Sequence, residues 1–453
     1  ARIQGLSVPG GVLISDKVFD EVKNQPDIFT QSLGDFGFKH VKRPMTVHAV
    51  VNEGLAVPTD EHLSPHRAEQ CRSVAVLPFV NMSSDPENEF FSDGITEEII
   101  NVLTRINGLQ VTARTSSFTF KGQNLDMRDI ATRLNVTHLL EGSVRRSGDQ
   151  VRVTAQLICA ADGYHLFSDT YDRKLADIFS LQDEIAGTIV GQLGEHLGPV
   201  KTSVAPQGPA ATGARDTVAY AEYLRGRFEW SRFSPEGARR SIKHFNRAIE
   251  LDPDSVLPYA GLATSYVYLS AIGHMPPAEA VPHAEAAAAK ALAIEPNSGE
   301  SHLALGMVQL FHHWDWTAAY ESFQKALTLR PGSAEIHFMY SFYLTTIGEY
   351  EESIAEARTA VRLDPLWVSN RNLLGQALFF AGLNEEAEEV LLEAAEIDPD
   401  FRAVVENLGW VYLDRGDNER AIKTLLRFRE MAGHKYAGAG SLGYAYARSG
   451  KPD

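Results

Sequence analysis

The chain has 453 residues, 44% of them hydrophobic and 22% charged, which is too much for one domain at about 100–200 residues each and enough apolar material for several cores. Its 59 acidic and 42 basic side chains leave a formal net charge of -17, which repels nucleic acid and anionic membrane surfaces and argues against either as a partner. No run of about 18 apolar residues offers a membrane span, and the two cysteines, Cys71 and Cys159, have neither metal-ligand nor disulfide-framework spacing, as in a reducing cytoplasm.

The first 51 residues are too few for a domain. Residues 1–6 read as a helix end that runs through Pro9-Gly10-Gly11 into a strand over 12–14. Ser15 stands where it can cap a short helix over 16–22. Residues 33–39 and 45–50 follow as two edge strands. There is no initiating Met and no signal peptide, and at the other end Tyr444-Ala445-Tyr446-Ala447-Arg448-Ser449-Gly450 reads as half of a repeat, so the chain is expected to be a fragment cut at both ends.

The wording Ala1-Arg2-Ile3-Gln4-Gly5-Leu6-Ser7-Val8-Pro9-Gly10-Gly11, then Leu33-Gly34, then Lys39 through Pro44-Met45-Thr46-Val47, resembles the C-terminal end of a class III nucleotidyl cyclase catalytic domain. The resemblance covers about the last quarter of such a domain. It implies that Arg2 is a transition-state arginine, offsetting charge that builds on the triphosphate as a ribose hydroxyl attacks. Its Asn partner and the two metal-binding Asp residues would lie upstream of Ala1. The complete parent would need Mg²⁺ or Mn²⁺ and a second cyclase domain, hence a homodimer. The chain itself calls for no cofactor or metal and is not a working cyclase on its own.

Residues 52–70 read as a linker. From 71 to 200 the pattern alternates between strand and helix. Residues 73–79 form an apolar run of strand length, bounded by the turn-rich Asn81-Met82-Ser83-Ser84-Asp85-Pro86. Ile95, Ile99, Leu103 and Ile106 then fall at helical spacing within a helix over 90–106. A strand over 109–113 and a short helix over 128–134 follow. Segments 139–145 and 150–157 flank Ser147-Gly148-Asp149 as a hairpin, 165–171 continues the sheet, and a helix over 178–197 closes it.

Val76-Leu77-Pro78-Phe79, Phe91-Ser92-Asp93-Gly94-Ile95-Thr96-Glu97-Glu98, Leu140-Glu141-Gly142-Ser143-Val144-Arg145 and Phe167 before Asp169-Thr170-Tyr171 make this segment similar to a TolB amino-terminal-like domain. It carries no nucleophile–base pair and no phosphate loop. Asp93, Glu97 and Glu98 sit near a helix start, where the helix dipole favours carboxylates, and that structural role is preferred to acid–base chemistry. Residues 201–216, including Gly208 to Gly213, read as a second linker.

From 217 to 453 the sequence repeats. Pro253, Pro296, Pro331, Pro365 and Pro399 each end a helix and lie 43, 35, 34 and 34 residues apart. Gly306, Ser341, Gly375, Gly409 and Gly443 keep the same step, and small residues recur at Ala319, Ser353, Ala387 and Ala421. These features identify a tetratricopeptide array of six complete repeats and half a seventh. Stacked helix pairs then supply one another's core and wind into a superhelix with a groove. Met307, Phe342, Gln376 and Trp410, with Phe379 and Leu413 a turn on, are the expected groove residues, suited to a peptide or helix with apolar anchors. The groove lacks the Lys/Asn/Arg set that grips a C-terminal carboxylate. In His312-His313-Trp314-Asp315-Trp316 the adjacent histidines diverge by about 100° on a helix, and a turn between two helices is the reading.

The expectation is therefore a multidomain chain: an α/β cyclase remnant, an α/β TolB amino-terminal-like domain and an all-α tetratricopeptide superhelix. Its order resembles bacterial multidomain adenylate cyclases, which implies a cytoplasmic signalling protein whose tail binds or senses protein partners. The alternative is a non-enzymatic scaffold or adaptor with a degenerate cyclase domain. A transcriptional regulator is disfavoured by the acidic charge and the lack of a basic helix-turn-helix.

Overall fold

The computed structural model describes the chain apart from residues 1–2, 9, 24, 26, 37–44, 53, 59–71, 84–87, 105, 107–108, 124, 161–162, 175–183, 186, 190, 192–216, 231–233, 434–435 and 451–453. Arg2, Cys71, the stretch from Lys39 to Pro44, the linker over 201–216 and most of both the 52–70 linker and the expected 178–197 helix lie outside the described residues. The chain forms two compact units, Ala1–Cys71 and Arg72–Asp453. Among the described residues no helix is long and apolar enough to cross a membrane.

In the first unit, β1 (Val12–Ser15), α1 (Asp16–Val22), β2 (Thr30–Phe36) and β3 (Met45–Val50) follow a short 3₁₀ turn at Ile3–Leu6. The sheet order is β1-β3-β2, all antiparallel, so the 45–50 segment is the central strand and not the edge its sequence suggested. The polar alternation of Thr46 and His48 hid this. His48 is buried on the face opposite Val47 and Ala49, stacked on Phe19 at 4.1 Å, with Nε2 3.1 Å from Asp16 Oδ1. Ser15 does occupy the N-cap of α1, but its hydroxyl makes no capping hydrogen bond.

The second unit opens with a six-stranded sheet. Its strands are β4 (Arg72–Val76), β5 (Val80–Asn81), β6 (Leu109–Val111), β7 (His138–Ser147), β8 (Gln150–Cys159) and β9 (His165–Lys174), in the order β6-β4-β7-β8-β9 with β5 also on β7. β4 ends before Leu77 because Pro78 has no amide for the ladder. The β7–β8 hairpin turns through Gly148, which adopts the left-handed φ of 59° that glycine favours. Along β8 the inward residues Val151, Val153, Ala155 and Leu157 alternate with outward ones, the period of a strand with one buried face. On that face packs α2 (Glu89–Leu103) through Phe91, Ile95, Ile99 and Leu103. On the other face lie α3 (Arg114–Phe118), unforeseen in the sequence, and α4 (Met127–Leu134), capped by Asp126, whose side chain accepts from Arg128 N.

Six helix pairs follow: α5 (Thr217–Trp230) with α6 (Pro235–Leu251), α7 (Val256–Ala271) with α8 (Pro277–Ile294), α9 (Gly299–Val308) with α10 (Trp316–Leu329), α11 (Ala334–Ile347) with α12 (Tyr350–Leu363), α13 (Val368–Phe380) with α14 (Asn384–Ile397), and α15 (Arg402–Asp414) with α16 (Asn418–Ala432). A lone α17 (Ala439–Arg448) ends the array. The recurring small residues act where expected. Phe323 of α10 lies against Gly306, Leu391 of α14 against Gly375 and Leu425 of α16 against Gly409, so a Cβ at those glycines would push the facing side chain aside. Ser341 and Ser353 replace that notch with a hydroxyl pair at 3.0 Å. The residues before the prolines (Asp252, Glu295, Arg330, Asp364 and Asp398) leave the helix with φ near -140°, since the proline ring disfavours the α region behind it. Six residues after the proline, His302, His337 and Arg371 each bond back to the proline carbonyl, a periodic clamp that was not read from the sequence.

Candidate protein-interaction surfaces

Helix α2 is apolar on the face it lays against the sheet and polar on a second face. Gly94, Glu97, Asn101 and Thr104 recur at helical spacing along that second stripe, and every one of them meets the repeat array. Gly94 receives the side chain of Leu224 from α5, leaving no room for a Cβ. Glu97 lies between Arg227 of α5, whose Nε donates to Oε1 at 2.9 Å, and Arg114 of α3, whose Nε is 3.2 Å from Oε2. Arg330 reaches Asn101 Oδ1 at 3.0 Å and Thr104 Oγ1 at 3.3 Å, and pairs with Glu300.

Burial pushes the Glu97 carboxyl up, but Arg227 and Arg114 outweigh it and hold the group below the usual carboxylate range. Asp93 shows the opposite balance. Burial dominates and raises it despite Lys121, whose Nζ lies 2.6 and 2.7 Å from its two oxygens. Because α2 begins at Glu89, Glu97 sits in its third turn, too far from the N-terminus for the helix dipole to account for it. The sequence attributed these carboxylates to the helix dipole, whereas Glu97 is held by its ion pairs with Arg227 and Arg114.

A second anchor forms where α12 ends. Asp364 accepts hydrogen bonds from both the amide and the hydroxyl of Ser116, the Ser116 hydroxyl is 2.8 Å from the Leu366 amide, and Ala113 N donates to Leu363 O at 2.8 Å. Gln110 Nε2 donates to Arg362 O at 3.0 Å. Among the described residues no counter-ion faces Asp364, and burial raises it to about 6, with Ser116 and Thr115 opposing. Between the two anchors the α/β domain and the array border a half-open pocket of about 110 Å³, lined among others by Arg114, Arg227, Arg330, Glu335, Trp230 and Trp367.

Of the groove residues read from the sequence, Met307 and Leu413 are enclosed in the inter-repeat cores. Phe342 is half-buried and rests on Phe311, ring centroids 5.5 Å apart. Gln376 is half-buried. Phe379 and Trp410 are half-buried neighbours at 6.4 Å, and Trp410 Nε1 donates to Ser441 Oγ at 3.2 Å. The six thus divide into two core residues and four with accessible surface.

The 312–316 cluster is a turn, as read. A π-helical turn over Gln309–His313 leads to Trp314 in the left-handed region at φ 56°, and Asp315 caps α10 by accepting from Ala318 N. His313 Nε2 lies 2.5 Å from Glu285 Oε1, and burial lowers His312. Among the described residues no three His, Cys, Asp or Glu side chains converge on a possible ion site.

Two family profiles match the chain. One, for tetratricopeptide repeats, covers residues 346–400. The other, for the second domain of HilA/YgeH-like transcriptional regulators, covers residues 69–188, so the α/β domain is similar to that family, and its TolB-like reading rests on its own residues. The Rhizobium meliloti protein named "Putative adenylate cyclase 3" is 37% identical over 265 residues, 58% of this chain and 44% of that protein. Transcriptional regulator HilA of Salmonella typhimurium is 27% identical over 143 residues, 32% of this chain and 26% of that protein. The chain spans less than half the length of these curated relatives. Among solved structures, YrrB, described as a tetratricopeptide protein with an unusual peptide-binding site, is 21% identical over 44% of this chain and 96% of its own, with a TM-score of 0.33. The array, built of stacked helix pairs with the repeat's small residues and prolines, is a tetratricopeptide-type protein-interaction scaffold.

Proposed function

We infer that this chain is the regulatory part of a cyclase-type signalling protein of the cytoplasm, in which the α/β domain and the repeat array bind or sense a protein partner. The observation that carries the reading is the 37% identity, over more than half of the chain, to a protein named as an adenylate cyclase. The cyclase-like wording of residues 1–51 supports it. In this reading Arg2 is the transition-state arginine and the parent pairs as a homodimer. The Mg²⁺ or Mn²⁺ ions such an enzyme uses find no site among the described residues, so no ion-dependent step is assigned to them.

The partner is expected to be a peptide or helix with apolar anchors, held by Phe342, Gln376, Phe379 and Trp410. The test is ATP turnover, with GTP alongside, by the parent protein supplied with Mg²⁺ or Mn²⁺. Arg2→Ala is expected to lower kcat by about 10²–10³ with little change in KM, the usual loss for one transition-state donor. Deleting residues 70–453 is expected to change the kinetics, and unchanged kinetics would remove the regulatory role. A parent that turns over neither nucleotide would leave the alternative: a non-enzymatic scaffold whose degenerate cyclase domain serves for pairing.

A further inference from the structure

The α/β domain builds most of its core from its own residues, while on the face away from α2 Leu366 of the array packs against its second apolar cluster. The cluster under α2 draws only on residues 74–189, and the cluster of the first repeats only on residues 220–304. What joins them is largely polar, the Glu97 ion pairs and the Arg330 and Ser116–Asp364 hydrogen bonds around a half-open pocket, with Leu224 at Gly94 and Leu366 as apolar contacts beside them. Buried charges pay back much of their attraction in lost hydration. Inter-domain contacts of this polar kind open and close unless they are large and apolar.

The recognition is nonetheless specific. Gly94 is a notch for Leu224, Glu97 a carboxylate for Arg227, Asn101 and Thr104 acceptors for Arg330, and Thr104 O faces Gly332, where a Cβ would come within 2.7 Å of it. The four positions, three in α2 and Thr104 at its C-cap, lie on one stripe, at offsets that a helix brings together.

We propose that the face of the array built from Leu224, Arg227, Arg330 and Gly332 is a receptor for a helix that carries a glycine and, three residues on, a carboxylate. Its resident ligand is α2 of the chain's own α/β domain, which docks and releases as a folded unit. The proposal rests on reading the array as a binding scaffold and is independent of any cyclase activity in the parent. While α2 is docked, Arg227 and Arg330 are engaged in cis. Release exposes this face of the array and the polar stripe of α2 together.

Hydrogen exchange on the full chain tests this, with the Ala113 amide as reporter because its acceptor, Leu363 O, lies across the interface. Glu97→Arg and Gly332→Ala should each speed exchange at Ala113 by about tenfold or more, while protection at Val153 in the sheet and Leu391 in the array stays as in the parent. Arg227→Glu, which leaves the Glu97–Arg114 pair inside the α/β domain in place, should speed Ala113 exchange likewise. Gly332→Ala adds one methyl to a turn of the array, so it remains informative if Glu97→Arg fails to fold. Unchanged Ala113 exchange in all three variants overturns the proposal, as does loss of protection at Val153 or Leu391 in step with Ala113, which would show a single inseparable core. Trp410→Ala should leave Ala113 protected whether or not it weakens partner binding, so failure of the groove reading and failure of this one are distinguishable.

Discussion

Phe323 is fully buried, and its ring edge meets the space left by Gly306 at 2.9 Å from where a Cβ would stand. Truncating such a side chain removes its transfer energy and leaves a cavity that two packed helices cannot close. Phe323→Ala should therefore cost about 3–5 kcal/mol in denaturant unfolding. Asp364 makes a prediction of the opposite character. Its pKa rises from 3.8 to about 6 on folding, so the folded state holds a proton that the unfolded state has released. Its contribution is fully present below pH 3.8 and is lost as pH climbs through about 6. Asp364→Asn keeps an acceptor for Ser116 and abolishes the titration. The parent should lose stability relative to this variant between about pH 4 and 6, read as the difference in urea midpoints. Glu97, held low by its arginines, has the reverse dependence: its contribution is present at neutral pH and lost on acidification. Comparison with Asp364→Asn cancels it.

At the scale of elements, the turns within repeats share one device. Gly348, Gly382 and Gly416 close them with φ of 88°, 76° and 77°, where an L side chain crowds its own carbonyl. The third repeat puts Trp314 there instead, at φ 56° and 67% exposed, edge-on to Trp316 at 5.8 Å. Relieving that conformation gains about 1–2 kcal/mol. Losing the aromatic pair costs about 0.5–1.5, and glycine's freedom in the unfolded chain costs about 0.5–1. Trp314→Gly should thus change stability by less than about 1 kcal/mol although it deletes the largest side chain available. A loss above about 2 kcal/mol in urea denaturation would show that the tryptophan pair holds the turn together.

The repeats were legible because three independent constraints (a terminating proline, a small residue at the helix contact and a fixed step) return together. The β7–β8 hairpin was legible because alternation and Gly148 agree. The centrality of β3 was not, since Thr46 and His48 mimic a solvent face and the cover over His48, Phe19 with Asp16, comes from another element.

For the whole molecule, the docked interface was the least legible feature. Glu97 and Arg227 lie 130 residues apart. Arg330 and Asp364 occupy the position before the proline, which Asp252, Glu295 and Asp398 fill elsewhere, so they read as ordinary helix ends. The carboxylate run over 93–98 was the one available signal. Because stacked repeats are stabilised mainly by nearest neighbours, damage should stay local. Leu425→Ala, in the sixth repeat, should cost about 2–5 kcal/mol locally yet leave Ala113 exchange unchanged, since the groups that hold the α/β domain come from α5 and the turns before α11 and α13.

Those groups also make the array a gauge. Arg227 is at its first helix, Arg330 at the close of its third pair and Asp364 at the close of its fourth, and the α/β domain touches all three. Adding or removing one whole repeat between Pro253 and Pro331 would keep the type of helix-to-helix contact along the stack, yet shift Arg330 and Asp364 relative to Arg227 by a full step. Solenoids commonly gain and lose copies at little local cost. Here the number of copies in the first half is counted by the domain that precedes them, whereas the repeats beyond Pro399 are free to vary.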